Sequence, residues 1–68
     1  MPQPSTRAVD RALDILLCFS RNEPTLTLTQ IVERAGIHKS TVHRLLATLE
    51  RKGFLQRIEE SGSYRLGW

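Results

Sequence analysis

Between Lys39 and Arg51 the chain places hydroxyls, cations and small side chains at a spacing that could do chemistry on a polyanion. Projected as a helix at roughly 100° per residue, Val42, Leu45, Leu46 and Leu49 fall on one side and form a core face. Ser40, Arg44, Ala47 and Arg51 fall on the other, flanked by Thr41, His43 and Thr48, and no acid appears before Glu50. A DNA major groove demands such a face. Small residues allow close approach, Arg44 can donate twice to the O6 and N7 edge of guanine, and Ser40 and Thr41 can serve a base or a phosphate. Lys39 adds charge where the first N–H groups of a helix already favour an anion. An ordinary amphipathic surface helix would share this pattern, so the helix alone does not decide.

Other chemistries find no support in the residue types. His38 and His43 stand five apart and the single cysteine, Cys18, lies far from both in sequence, so no metal-ligand set is expected. Paired carboxylates, a nucleophile with its base, and a Gly-rich phosphate loop are all missing, which excludes an enzyme and calls for no cofactor. One Tyr, one Trp and two Phe are too few to supply both a core and a stacking platform for single-stranded RNA.

The elements that must position this helix can be read on either side of it. Residues 1–6 hold two prolines and small polar residues and read as a flexible leader, leaving 7–68 as one small domain. From Arg7 to about Ser20 the pattern is helical, with Val9, Leu13, Leu16 and Leu17 as the core stripe and Asn22, Glu23 and Pro24 as the stop. Ala8, Ala12, Ile15 and Phe19 widen the apolar arc of this first helix to roughly 200°, about twice what a core-facing stripe needs. The excess marks a self-association surface made of these four residues, unless the hairpin or chain ends cover it.

Thr25 to Thr27 reads as a stub of strand. Thr27 followed by Gln30 fits a capping box at the start of a second helix, Leu28 to Ala35, closed by Gly36. Gly36, Ile37 and His38 leave room only for a tight turn before the third helix, 39–52, which ends at Gly53. Phe54–Ile58 and Ser63–Leu66 are strand candidates joined by Glu59, Glu60, Ser61 and Gly62, a hairpin signal. Three helices followed by a two-stranded wing make a mainly α, winged helix-turn-helix domain.

Charge agrees with this placement. The net charge is only +3, but Arg34, Lys39, Arg44, Arg51, Lys52 and Arg57 face a single acid, Glu50, over one stretch. Lys39, Ser40, Thr41, His43 and Arg44 are the expected readers of bases and nearby phosphates. Thr27, Thr29 and Arg51 would hold the sugar-phosphate backbone, and Arg57 and Arg65 could reach the backbone or the minor groove from the hairpin. Glu59 and Glu60 at the hairpin tip oppose close phosphate contact there. The lone Cys18 and the want of a signal or membrane segment point to a reducing cytoplasm.

Several runs of the chain resemble the N-terminal domain of the IclR family of bacterial transcription regulators. They are Arg7 to Leu17, Leu28-Thr-Gln-Ile-Val-Glu-Arg-Ala-Gly36, Lys39-Ser-Thr-Val-His-Arg-Leu-Leu-Ala-Thr-Leu49, Gly53-Phe54 and Tyr64-Arg-Leu-Gly67. Each run alone also suits other winged-helix families, such as MarR-like regulators; Thr41-Val-His-Arg-Leu-Leu46 with Tyr64-Arg-Leu-Gly67 is more specific. The resemblance covers about Ser5 to Gly67 and implies sequence-specific binding of double-stranded DNA at palindromic operators, as repressor or activator. It also implies homodimers paired partly through the first helix. A larger C-terminal domain that binds a small-molecule effector is the family's usual second half, so this chain is expected to be its DNA-binding fragment. Two features depart from the pattern: the acidic wing tip, and His38 where a better helix cap is common. The competing reading is a winged-helix protein-interaction module whose third helix docks on another protein.

Overall fold

Capping chemistry sets the start of the helix-turn-helix. In the computed structural model, which describes residues 6–67, the Thr27 Oγ1 accepts the Gln30 N–H at 3.2 Å and Gln30 Oε1 accepts the Thr27 N–H at 2.9 Å. This reciprocal pair opens α2, Leu28–Ala35. Gly36 closes it in the left-handed region, at φ 68 and ψ 30, with its N–H on the Val32 carbonyl at 3.0 Å. Glycine adopts that conformation without the steric penalty of a Cβ. Ile37 then drops into the core between α2 and α3, Lys39–Arg51, as its place in a three-residue turn requires. His38 caps α3 by backbone alone: its side chain makes no capping hydrogen bond.

The far end of α3 is a Schellman motif. Phe54 N–H reaches the Leu49 carbonyl at 2.9 Å, Gly53 N–H reaches that of Glu50 at 3.1 Å, and Gly53 takes φ 86. The chain leaves this cap directly into β2, Leu55–Ile58, turns through 59–62 and returns as β3, Ser63–Leu66. In this turn Gly62 lies at φ 71, its N–H bonded to the Ile58 carbonyl at 2.8 Å. The stub of strand expected at Thr25 is present as β1, Thr25–Leu26. It adds a third strand to the wing, antiparallel to β3, in the order β1-β3-β2. Leu26 faces Tyr64 in that register, and both side chains are buried with Leu55.

Helix α1 departs from expectation in length and in face. It spans Arg7–Leu16, four residues short of the expected end. Its last turn tightens through Cys18 N–H on Ile15 and Phe19 N–H on Leu16. A turn follows in which Ser20 and Glu23 exchange backbone hydrogen bonds at 3.2 and 3.1 Å. That turn, rather than Pro24, reverses the chain toward β1. The same reversal draws Phe19 inward, and Ile15, one helical turn earlier on the same face, goes with it.

Ile15 and Phe19 therefore belong to the core with Leu26, Ile31, Ile37, Val42, Leu46, Leu49, Leu55 and Tyr64. Their expected place on a free dimerisation arc is corrected: both are buried, Ala12 packs half-buried against the same core, and only Ala8 stays exposed. The stripe expected to face inward is instead largely outside, with Val9, Leu13 and Leu17 exposed by 53%, 51% and 79%. An arc of about 200° has two apolar edges, and periodicity cannot choose between them. Contacts with α2 and α3 make the choice.

The core face of α3 is as expected in Val42, Leu46 and Leu49, while Leu45 is only partly covered. The leader expected over residues 1–6 lies, but for Thr6, outside the described residues; Thr6 is the N-cap residue of α1.

Candidate nucleic-acid interface

Because Val42, Leu46 and Leu49 are anchored in the core, the opposite side of α3 is turned outward. Lys39, Ser40, His43, Arg44, Ala47, Thr48 and Arg51 are all exposed there, and Thr41 is half-buried at its edge. At the start of the helix His38, Lys39, Ser40, His43 and Arg44 line one open concavity of about 590 Å³. Four of the five expected readers are thus gathered on one wall. Thr41 is set back from them.

Among the described residues a single ion pair forms, and it joins Arg34 to Glu23 through both guanidinium NH2 groups and both carboxylate oxygens. Hydrogen bonding from Arg34 holds the Glu23 carboxyl below the usual range, and the same bond holds the guanidinium above its own. Arg34 is therefore withdrawn from the basic stretch in which its sequence position placed it. Lys39, Arg44 and Arg51 enter no ion pair among the described residues. Their charge is available to a ligand.

The flanking positions divide. Thr27 and Thr29 are exposed at the start of α2, and Thr27 uses its oxygen as the helix cap while its O–H hydrogen remains to donate. On the wing, Arg57 and Arg65 lie on opposite faces of the sheet. Arg57 opposes Tyr64 and shares the face of the core; Arg65 opposes Gln56 on the outer face, and its Nε donates to Gln56 Oε1 at 2.8 Å. Arg65 is thus partly committed and Arg57 is the freer wing cation. Glu59 and Glu60 stay exposed at the tip.

Three features were not foreseen from the residues: the Glu23–Arg34 clamp, the Gln56–Arg65 pair and the exposed α1 stripe. Opposite charges eleven positions apart carry no periodic signal, so only folding brings the first pair together. Cys18 is half-buried with its Sγ–H directed to the Asp14 carbonyl at 3.3 Å, and burial pushes the thiol up in pKa. It is a packing residue rather than a nucleophile. Among the described residues no three His, Cys, Asp or Glu side chains stand close enough to hold a metal ion, and no helix is long and apolar enough to cross a membrane.

The IclR helix-turn-helix domain matches residues 8–59. HTH-type transcriptional regulator XynR of Escherichia coli is 42% identical over 64 residues, which are 94% of this chain and 25% of that protein. The crystal structure of an IclR family transcriptional regulator from Brucella abortus superposes with a TM-score of 0.88 at 40% identity, covering 91% of this chain and 24% of that one. That of a regulator from Alicyclobacillus acidocaldarius gives 0.88 at 36% identity, covering 96% and 26%. The chain thus spans about a quarter of the length of the proteins it matches. These relatives are transcription regulators, not enzymes. Three helices and an antiparallel wing, a cationic outward face on the third helix and the match across 8–59 together place this chain in the IclR helix-turn-helix family, the DNA-binding domain of bacterial transcription regulators.

Proposed function

We propose that this domain binds double-stranded DNA sequence-specifically by laying α3 into the major groove, and that it has no catalytic role. Lys39, Ser40, His43 and Arg44 read bases and the nearest phosphates, with Thr41 contributing from the edge. Thr27, Thr29 and Arg51 hold the sugar-phosphate backbone, and Arg57 adds a contact from the wing. The observation that carries this reading is the outward display of Lys39, Arg44 and Arg51, without an ion pair among the described residues, on a helix whose other side is anchored in the core.

A major groove is wide enough for one helix, and a guanidinium with two free donors matches guanine better than any other base. Arg44→Ala should therefore weaken binding to a preferred duplex by about 1–3 kcal/mol and relax preference at one base pair. Fluorescence anisotropy on that duplex and its single-base variants measures both. Unchanged affinity and preference would remove Arg44 from the reading.

Ionic strength separates this reading from a protein-docking domain. Release of condensed counterions makes DNA affinity fall steeply with salt, whereas an apolar protein interface responds far less.

The domain acts as a homodimer on a palindromic operator in the bacterial cytoplasm, paired in part through α1. The exposed Val9, Leu13 and Leu17, with Ala8, supply the pairing face, since Ile15 and Phe19 are taken up by the core. Because the chain spans a quarter of its relatives' length, control by a small-molecule effector belongs to a further domain of the whole regulator.

A further inference from the structure

Between Arg44 and Arg51 the outward face of α3 carries two exposed residues without charge, Ala47 and Thr48. Projected along the helix at roughly 100° per residue, they straddle the line from Arg44 to Arg51. At ~1.5 Å rise per residue they lie about 4.5–6 Å beyond Arg44 along the axis. The Thr48 hydroxyl hydrogen, which would otherwise donate to a base, is already engaged: Oγ1 donates to the Arg44 carbonyl at 3.4 Å. Such back-bonding to the preceding turn is a common use of threonine within a helix. With that hydrogen spent on the backbone, the exposed Thr48 has its methyl group to offer a ligand. Beside the Ala47 methyl this makes a small apolar patch between two arginines, on a face that otherwise offers hydroxyls, imidazole and cations.

In the major groove one base edge rewards such a patch. Thymine carries a C5-methyl group; the facing edges of guanine, adenine and cytosine present only donors and acceptors at the positions that distinguish them. A methyl pressed on those polar edges displaces water without replacing its hydrogen bonds, which costs free energy. We infer that Ala47 and Thr48 are specificity-determining residues that select thymine through its C5-methyl group. The thymine lies one or two base pairs from the pair read by Arg44, given a base-pair rise of about 3.4 Å. This inference rests on the proposed placement of α3 in the groove. It assigns thymine recognition to van der Waals contact, so the preference should survive at salt concentrations that weaken binding as a whole.

The test starts from a random duplex pool enriched on the 68-residue chain. In the preferred duplex each thymine is replaced singly by deoxyuridine, which lacks only the methyl, and by 5-bromodeoxyuridine, which restores a group of similar size. At one or two neighbouring thymines deoxyuridine should weaken binding about fourfold, the equivalent of ~0.8 kcal/mol for one buried methyl or methylene, and bromine should restore it.

Three variants tie the effect to the two side chains. Thr48→Ser keeps the hydroxyl that back-bonds and drops the methyl, so it should lose part or all of the deoxyuridine penalty. Ala47→Gly should do the same. Thr48→Val keeps a methyl and drops the hydroxyl, so it should retain the penalty. Circular dichroism melts confirm that each variant is folded; if Ala47→Gly is not, the two Thr48 variants decide.

Indifference to deoxyuridine at every thymine of a selected duplex overturns the inference while leaving α3 in the groove. So does a penalty undiminished in Thr48→Ser and Ala47→Gly alike. A pool that yields no preferred duplex overturns the placement of α3 itself, and the inference falls with it.

Discussion

Arg34 and Arg44 are the same residue type on consecutive helices, yet folding gives them opposite work. The Arg34 guanidinium is clamped to Glu23, which ties the turn after α1 to the last turn of α2. Arg44 projects from the start of α3 with no acidic partner among the described residues. Removing Arg34 by Arg34→Gln should therefore change DNA affinity far less than Arg44→Ala does, because its charge is already offset; comparable losses in anisotropy would refute this. The clamp also sets a pH signature. Glu23 is held below the ordinary range, so the stabilisation from the pair is complete above the unfolded-state value and is lost as pH falls through the lowered folded-state one. Glu23→Gln should flatten that acid-side decline in urea midpoints. Both side chains remain more than a third exposed, at 35% for Arg34 and 44% for Glu23, which keeps the effect small.

Among the elements, the junction of α3 with the wing depends on two backbones touching. Gly67 donates its N–H to the Phe54 carbonyl at 2.9 Å, and a Cβ added at Gly67 would stand 2.1 Å from the Gly53 carbonyl oxygen. No side chain lies in that gap to give way; the opposing atoms are backbone. The Tyr64-Arg-Leu-Gly67 run is thereby explained in part. Its tyrosine fills the core opposite Leu26, and its glycine lets the end of the wing close on the Schellman cap of α3. Gly67→Ala should destabilise the domain by about 1–3 kcal/mol, the usual range for overpacking a tight site. A thermal melt equal to that of the unaltered chain would show that the junction relaxes freely.

For the molecule as a whole, the apolar surface left outside bears on assembly. Val9, Leu13 and Leu17 recur every four residues, so they form a continuous ridge along α1. A ridge of that kind is the part of this surface best suited to a second copy, and two copies related by a twofold axis would present two α3 helices to a palindrome. Sedimentation velocity should accordingly show concentration-dependent self-association that Leu13→Glu abolishes. Since Leu13 is half-exposed, the substitution should leave the secondary structure of the separated chain intact by circular dichroism. A chain that sediments as a monomer at every concentration would refute pairing through this ridge.

Local chemistry alone determined much of this protein. Thr27, Gln30 and Gly36 define α2 because a cap and a left-handed glycine act within a few residues. Val42, Leu46 and Leu49 orient α3 because a narrow apolar stripe has a single inward solution. The Gly62 turn marks the hairpin for the same short-range reason. Only the tertiary structure could decide which edge of α1 faces inward, because its apolar arc is wide enough to satisfy two orientations and the pull of Phe19 comes from the chain reversal beyond the helix. Long-range pairing was likewise silent in the sequence: β1 on β3, Glu23 on Arg34 and Gly67 against Gly53 join residues whose separation obeys no period. Patterning fixes how an element is built and which residues share a face; where two faces are equally apolar, or two charges are far apart along the chain, packing makes the choice.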